Sequence, residues 1–117
     1  MADVAPTITY VGDMDVVTWE TVTAANAAGV PYEPLRLRCQ FASVQATGTF
    51  DSATLVLQGS NDGSTWAGLS DEFDTAISLT AAGWYEIRTA ARFIRPSTSG
   101  GGGSQDIDVI LVARGNN

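Results

Sequence analysis

Histidine and lysine are both absent from the 117-residue chain, and cysteine occurs once, as Cys39. Without histidine there is no Ser-His-Asp or Cys-His catalysis and no imidazole ligand for a metal. Without lysine there is no Schiff-base chemistry. A lone cysteine allows no intrachain disulfide, so stability is expected to rest on the core. Positive charge is scarce: six arginines stand against thirteen acids, a formal net charge of −7, with a pI near 4.1. Neutralising phosphates takes clustered cations, so nucleic-acid binding is not expected. The longest uninterrupted apolar run, 109–113, falls far short of the ~20 residues of a membrane helix. Met1-Ala2-Asp3-Val4-Ala5-Pro6 has no basic stretch and no apolar centre, so no signal peptide is expected and folding should occur in a cytosol.

What the chain does have is apolar alternation. Hydrophobic residues make up 44%, enough for one domain of this size to hold a core. The period is two almost everywhere, which predicts strands. Segments 7–11 and 15–22 are rich in Thr, Val, Tyr and Trp, while 23–34 carries Gly29, Pro31 and Pro34 and reads as a loop. In 35–41, Leu35, Leu37, Cys39 and Phe41 share one face, with Arg36, Arg38 and Gln40 on the other. The apolar phase then slips to Ala42, Val44 and Ala46, which predicts a bulge near Ala42–Ser43. A turn is expected at Phe50-Asp51-Ser52, then a strand over 54–60 with Leu55 and Leu57 inward.

Asn61-Asp62-Gly63 predicts a tight hairpin turn. Shorter strands follow at 76–79, 84–88 and 92–95, and Gly100 to Gly103 reads as a flexible hairpin loop. The last strand, 107–114, points Ile107, Val109, Leu111 and Ala113 to one side, and its other side changes from Asp106 and Asp108 to Ile110 and Val112. A strand apolar on both faces is central in a sandwich or buried against another chain. The fold class expected is all-β: a single antiparallel, jelly-roll-like β-sandwich with Gly-rich hairpin loops.

Few constellations could carry chemistry. Asp13 with Asp15, the run Asp71-Glu72-Phe73-Asp74, and Asp106 with Asp108 could offer oxygens to calcium, but none follows the twelve-residue calcium loop. Paired carboxylates could also serve glycoside hydrolysis, though a small sandwich without insertions is a poor frame for it. No nucleophile elbow, phosphate loop or zinc spacing occurs. An enzyme is therefore not expected, nor any cofactor. Cys39 reads as a buried small hydrophobe. The arginines, among them Arg36, Arg38, Arg88, Arg92 and Arg95, serve either solubility or planar pairing with carboxylates of a neighbouring chain. Trp19, Trp66 and Trp84 read as core; where exposed they would mark an interface or a sugar-stacking platform.

Two resemblances extend the reading. Leu57-Gln58-Gly59-Ser60-Asn61-Asp62-Gly63-Ser64-Thr65-Trp66, followed by Ala91-Arg92-Phe93-Ile94-Arg95, resembles the paired motifs of discoidin-like, galactose-binding β-sandwiches. Their ligand loops have no match here. A longer similarity, over roughly residues 10 to 114, adds Gly12-Asp13 through Trp19, Gly48-Thr49-Phe50, Thr80-Ala81-Ala82-Gly83 and a Gly-rich turn before Asp108-Val109-Ile110-Leu111. In that order these resemble the capsid decoration (cement) proteins of tailed phages.

That resemblance implies a non-enzymatic viral structural protein that stabilises the outside of an icosahedral head, with the major capsid protein as partner and a homotrimer as assembly. Expected location is the virion surface after synthesis in the bacterial cytoplasm, with no nucleic-acid or membrane partner. Residues 1–9 are expected to be an N-terminal arm that orders on the capsid, and 10–117 the decoration domain. Expected intersubunit or capsid contacts are Arg36, Arg38, Arg92, Arg95, Ile110 and Val112. The alternative is a carbohydrate-binding module of a head fibre or tail component, stacking sugar on Trp66 or Trp84. A third, weaker alternative is a fragment of an enzyme's accessory domain, since both chain ends read as complete.

Overall fold

A computed structural model describes residues 3–33, 39–71, 73–87 and 91–115. They form nine strands: β1 Thr7–Val11, β2 Met14–Val22, β3 Cys39–Thr49, β4 Thr54–Ser60, β5 Ala67–Gly68, β6 Ser78–Leu79, β7 Gly83–Ile87, β8 Phe93–Ser99 and β9 Asp106–Gly115. All sheet pairings between them are antiparallel. The larger sheet has the order β1-β2-β9-β3-β7; in the second, β4 pairs β8 along one edge and β5 and β6 along the other. The protein is an all-β antiparallel sandwich.

The period-two pattern explains the layering. Val17, Trp19 and Val22 of β2, Ala42, Val44 and Ala46 of β3, and Ile107, Val109, Leu111 and Ala113 of β9 are all buried. They meet Leu55 and Leu57 of β4, Leu79 of β6 and Ile94 of β8 in one core. Alternate residues of each strand face away, as strand geometry requires.

Three local expectations change. The phase slip in β3 lies between Cys39 and Phe41 rather than at Ala42–Ser43, where the ladder to β9 runs in register. Gly100 to Gly103 closes no hairpin, because β8 pairs β4 while β9 pairs β2 and β3. The loop instead crosses between layers and packs on the 50–53 turn: Gly102 N–H donates to Asp51 O at 3.0 Å and Ser104 N–H to Asp51 Oδ2 at 2.9 Å. Finally, residues 3–9 are attached to the sandwich: Val4 bridges Gly29, and 7–9 belong to β1. The two-residue connection Gly12-Asp13 joins β1 to β2, with Gly12 at φ 59 supplying the positive angle such a hairpin needs at its first central position.

A second bulge, between Trp19 and Val22 of β2, puts Thr21 at φ 59. Thr21 N–H donates to Asp108 Oδ1 at 3.0 Å, so this acid of β9 holds the bulge. Polar ties also link the layers. The 27–32 segment runs beside β8 through bridges Ala28↔Ser97 and Tyr32↔Ile94. From it the Tyr32 hydroxyl donates to buried Asp15 Oδ2 of β2 at 2.6 Å. A buried hydrogen bond to a carboxylate contributes about 1.5–3 kcal/mol. Tyr32→Phe is therefore expected to lower stability by about that amount in urea unfolding monitored by circular dichroism, and an unchanged midpoint would show that the bond contributes nothing net.

Candidate interaction surfaces

The outward face of the large sheet follows from its register, because residues directly opposite each other share a face. One row reads Thr7, Thr18, Ile110, Gln45 and Trp84; the next reads Thr9, Val16, Val112, Ser43 and Glu86. Ile110 and Val112 are half-buried, flanked in the sheet by β2 and β3. The central-strand explanation accounts for the backbone of β9, but no strand of the second sheet covers this outer face. The fold thus brings Ile110 and Val112 into one stripe with Val16 and, beyond Gln45, with Trp84. Val16 was missed in the sequence because it adjoins Val17, and only pairing with β9 decides which of the two faces in.

The three tryptophans have three different fates. Trp19 is fully buried and its Nε1–H donates to Val30 O at 2.9 Å. Trp84 is not core: it is 56% exposed on the edge strand β7. Trp66 is half-buried, and the guanidinium of Arg95 lies over its ring at 4.1 Å from the centroid. That contact covers one ring face, leaving Trp84 the more open platform of the two.

Two of the candidate arginines are engaged within the chain. Arg95 Nε–H donates to Gln58 Oε1, opposite it on β4, at 2.9 Å. Arg92 sits over the Phe93 ring at 4.8 Å, and its Nε–H donates to Glu33 Oε2 at 2.6 Å. Its backbone N–H donates to Asn61 Oδ1 at 3.0 Å, which ties the Asn-Asp-Gly loop to the start of β8. Arg36 and Arg38 lie outside the described residues, as do Arg88 and the side chain of Cys39.

The 60–66 loop is organised by Asp62. Its Oδ1 accepts from the N–H groups of Thr65 and Ser64, both at 2.8 Å, and from Ser60 Oγ at 2.9 Å. Ser60 Oγ in turn accepts from Gly63 N–H. The Thr65 and Ser64 N–H groups, then the Ser60 hydroxyl, hold the Asp62 carboxyl well below the ordinary carboxylate range. A depressed acid stabilises the fold above its unfolded pKa, and that contribution is lost as pH falls toward the folded value. Asp62→Asn should therefore lower the melting temperature at neutral pH by an amount that shrinks steadily below pH ~4. A difference that stays constant down to acid pH would refute the carboxylate's role.

The acidic run 71–74 is likewise a turn rather than a gathered ligand set. Asp71 Oδ1 accepts from Phe73 N–H at 2.9 Å and Thr75 N–H at 3.0 Å. Among the described residues no three His, Cys, Asp or Glu side chains group closely enough to hold a metal ion. Nor is any helix there long and apolar enough to cross a membrane. Phe73, named in the sequence only as part of an acidic run, stands 80% exposed. Searches found no family model that matches the chain and no curated protein similar to it.

Proposed function

We propose that this is a structural protein of a tailed-phage virion, a non-enzymatic sandwich that decorates and stabilises the head as a homotrimer bound to the major capsid protein. The observation that carries the reading is the apolar stripe of Val16, Val112 and Ile110 on the large sheet's outward face. A β-sandwich that works alone has little reason to place such a stripe opposite its core; one that docks on a protein shell does. The resemblance of residues 10 to 114 to phage decoration proteins is what points to a phage head as that shell. A net charge of −7 keeps free subunits soluble and away from packaged DNA. Synthesis in the bacterial cytoplasm and final residence on the capsid surface follow from the same reading.

The test is co-expression with the major capsid protein encoded by the same genome, followed by sedimentation of assembled shells. The chain should sediment with the shells at a fixed ratio, and Val112→Asp should release it while the isolated variant still melts cooperatively. A chain that stays in the supernatant beside well-formed shells would sink the proposal.

The exposure of Trp84 favours one second reading, a carbohydrate-binding module of a head fibre or tail component. Retention on immobilised galactosides that disappears in Trp84→Ala would support it.

A further inference from the structure

We propose that copies of this chain join head to tail, the Phe73 turn of one copy seating on the Arg95–Trp66 platform of the next. The inference rests on the homo-oligomer proposed above and names its contact.

The turn is built to hold its tip out. Beneath it Ser70 bridges Ala76, Asp71 N–H donates to Thr75 O at 2.8 Å, and Asp74 N–H donates to Asp71 O at 3.0 Å. The two bonds to Asp71 Oδ1 also tie Phe73 and Thr75 back to the start of the turn, which lowers what Phe73 must lose on binding. It presents Phe73, the most exposed of the large apolar side chains described, between Asp71 and Asp74.

The platform is complementary. Arg95 is oriented twice, by the Trp66 ring against one face and by Gln58 at Nε. Among the described residues neither of its Nη groups has an acceptor, so an end-on carboxylate can take both. Arg92 and the Phe93 ring lie close by on the same strand end. Arg92 is already paired with Glu33, so Arg95 is the cation of this platform that is left for an incoming acid. The ring of an incoming Phe73 would stack on the guanidinium face turned from Trp66, while Asp74 accepts from Nη.

Topology sets the direction of assembly. β4 is paired along one edge by β8, which bears Arg95, and along the other by β5 and β6, which the Phe73 turn connects. Turn and strand therefore lie on opposite sides of β4. Trp66, which leads into β5, meets Arg95 of β8, so the platform straddles β4. A contact between such a platform and the unlike Phe73 turn is heterologous, and closes into a ring when the rotation allows, as in a trimer. It also leaves the outward face of the large sheet for the capsid.

Sedimentation velocity of the full chain across a concentration series tests this, with Phe73→Ser and Arg95→Gln as variants. The wild type should associate toward three times 12.2 kDa, and each variant should weaken association by about tenfold or more, the mark of a central contact. The melting temperature of Phe73→Ser should be unchanged, because the side chain is outside the core. Mixing the two variants should give a one-to-one dimer, since one intact junction remains between them. Association of Phe73→Ser as tight as that of the wild type would overturn the inference, and so would a wild type that stays monomeric throughout. A monomeric wild type would also remove the trimer in solution proposed above, whereas attachment to the head is decided separately by co-sedimentation with shells.

Discussion

Trp19→Ala is expected to lower the melting temperature by more than 10 °C. The side chain is wholly buried, faces Val109 across the β2–β9 ladder, and has Gly29 so close to its indole that no Cβ fits between them. Truncating a buried tryptophan costs about 3–5 kcal/mol, because the surrounding strands cannot collapse into the space. The change also removes the donor to Val30 O, which ties the 27–32 segment to β2. For a domain of this size each kcal/mol moves the midpoint by roughly 3–6 °C. Calorimetry on the variant and on Trp84→Ala makes the comparison, and Trp84→Ala should stay within ~0.5 kcal/mol of wild type. A small shift for Trp19→Ala would mean that the neighbouring segments refill the site.

Gly48→Ala is the second large effect. Gly48 lies near the end of β3 at φ +111, a conformation that L side chains rarely adopt. A Cβ there would also fall on the carbonyl oxygen of Asp106, at the start of β9, well inside contact distance. Backbone cannot rotate away as a side chain can, so the two strands must part or the register must shift. The strained backbone alone costs about 1–3 kcal/mol and the overpacking a similar amount. Chemical denaturation should show a loss of at least ~2 kcal/mol with the slope unchanged. Equal stability would mean that β3 and β9 separate freely at this end. Because β9 is the central strand of the larger sheet, amide exchange should rise along its first residues as well.

The apolar alternation made much of this fold legible in the chain itself. Leu55 and Leu57 face inward as their spacing predicts, and so do Ile107, Val109, Leu111 and Ala113. A side chain's face depends only on its position along an extended backbone, so a local pattern suffices to assign it. The Asn61-Asp62-Gly63 turn was legible in part: much of its hydrogen bonding comes from residues 60 to 65, but it sits in a longer 61–66 loop between β4 and β5 that Arg92 also ties down. Absences were equally informative, since a chain without histidine, lysine or paired cysteines forgoes whole classes of chemistry.

The candidate surfaces were less legible because they depend on pairing. Ile110 and Val112 were visible as an apolar second face, but their join with Val16 and Trp84 required β9 to insert between β2 and β3. Arg95 and Trp66 stand 29 residues apart in sequence (95 minus 66) and meet only because β8 lies beside β4. The tetraglycine looked like a hairpin since nothing local says that the strands on either side join different sheets.

The sequence by itself thus determined most of the longer strands, most of their inward faces and the chemistry that is absent. Tertiary structure alone decided which strands are neighbours, which tryptophan is core, and where arginines meet aromatic rings. The physical reason is that all strands share one period of two, so any could pair with any other by pattern. The choice among partners is made by burial and hydrogen bonding summed over the whole sandwich, a quantity that no single segment carries.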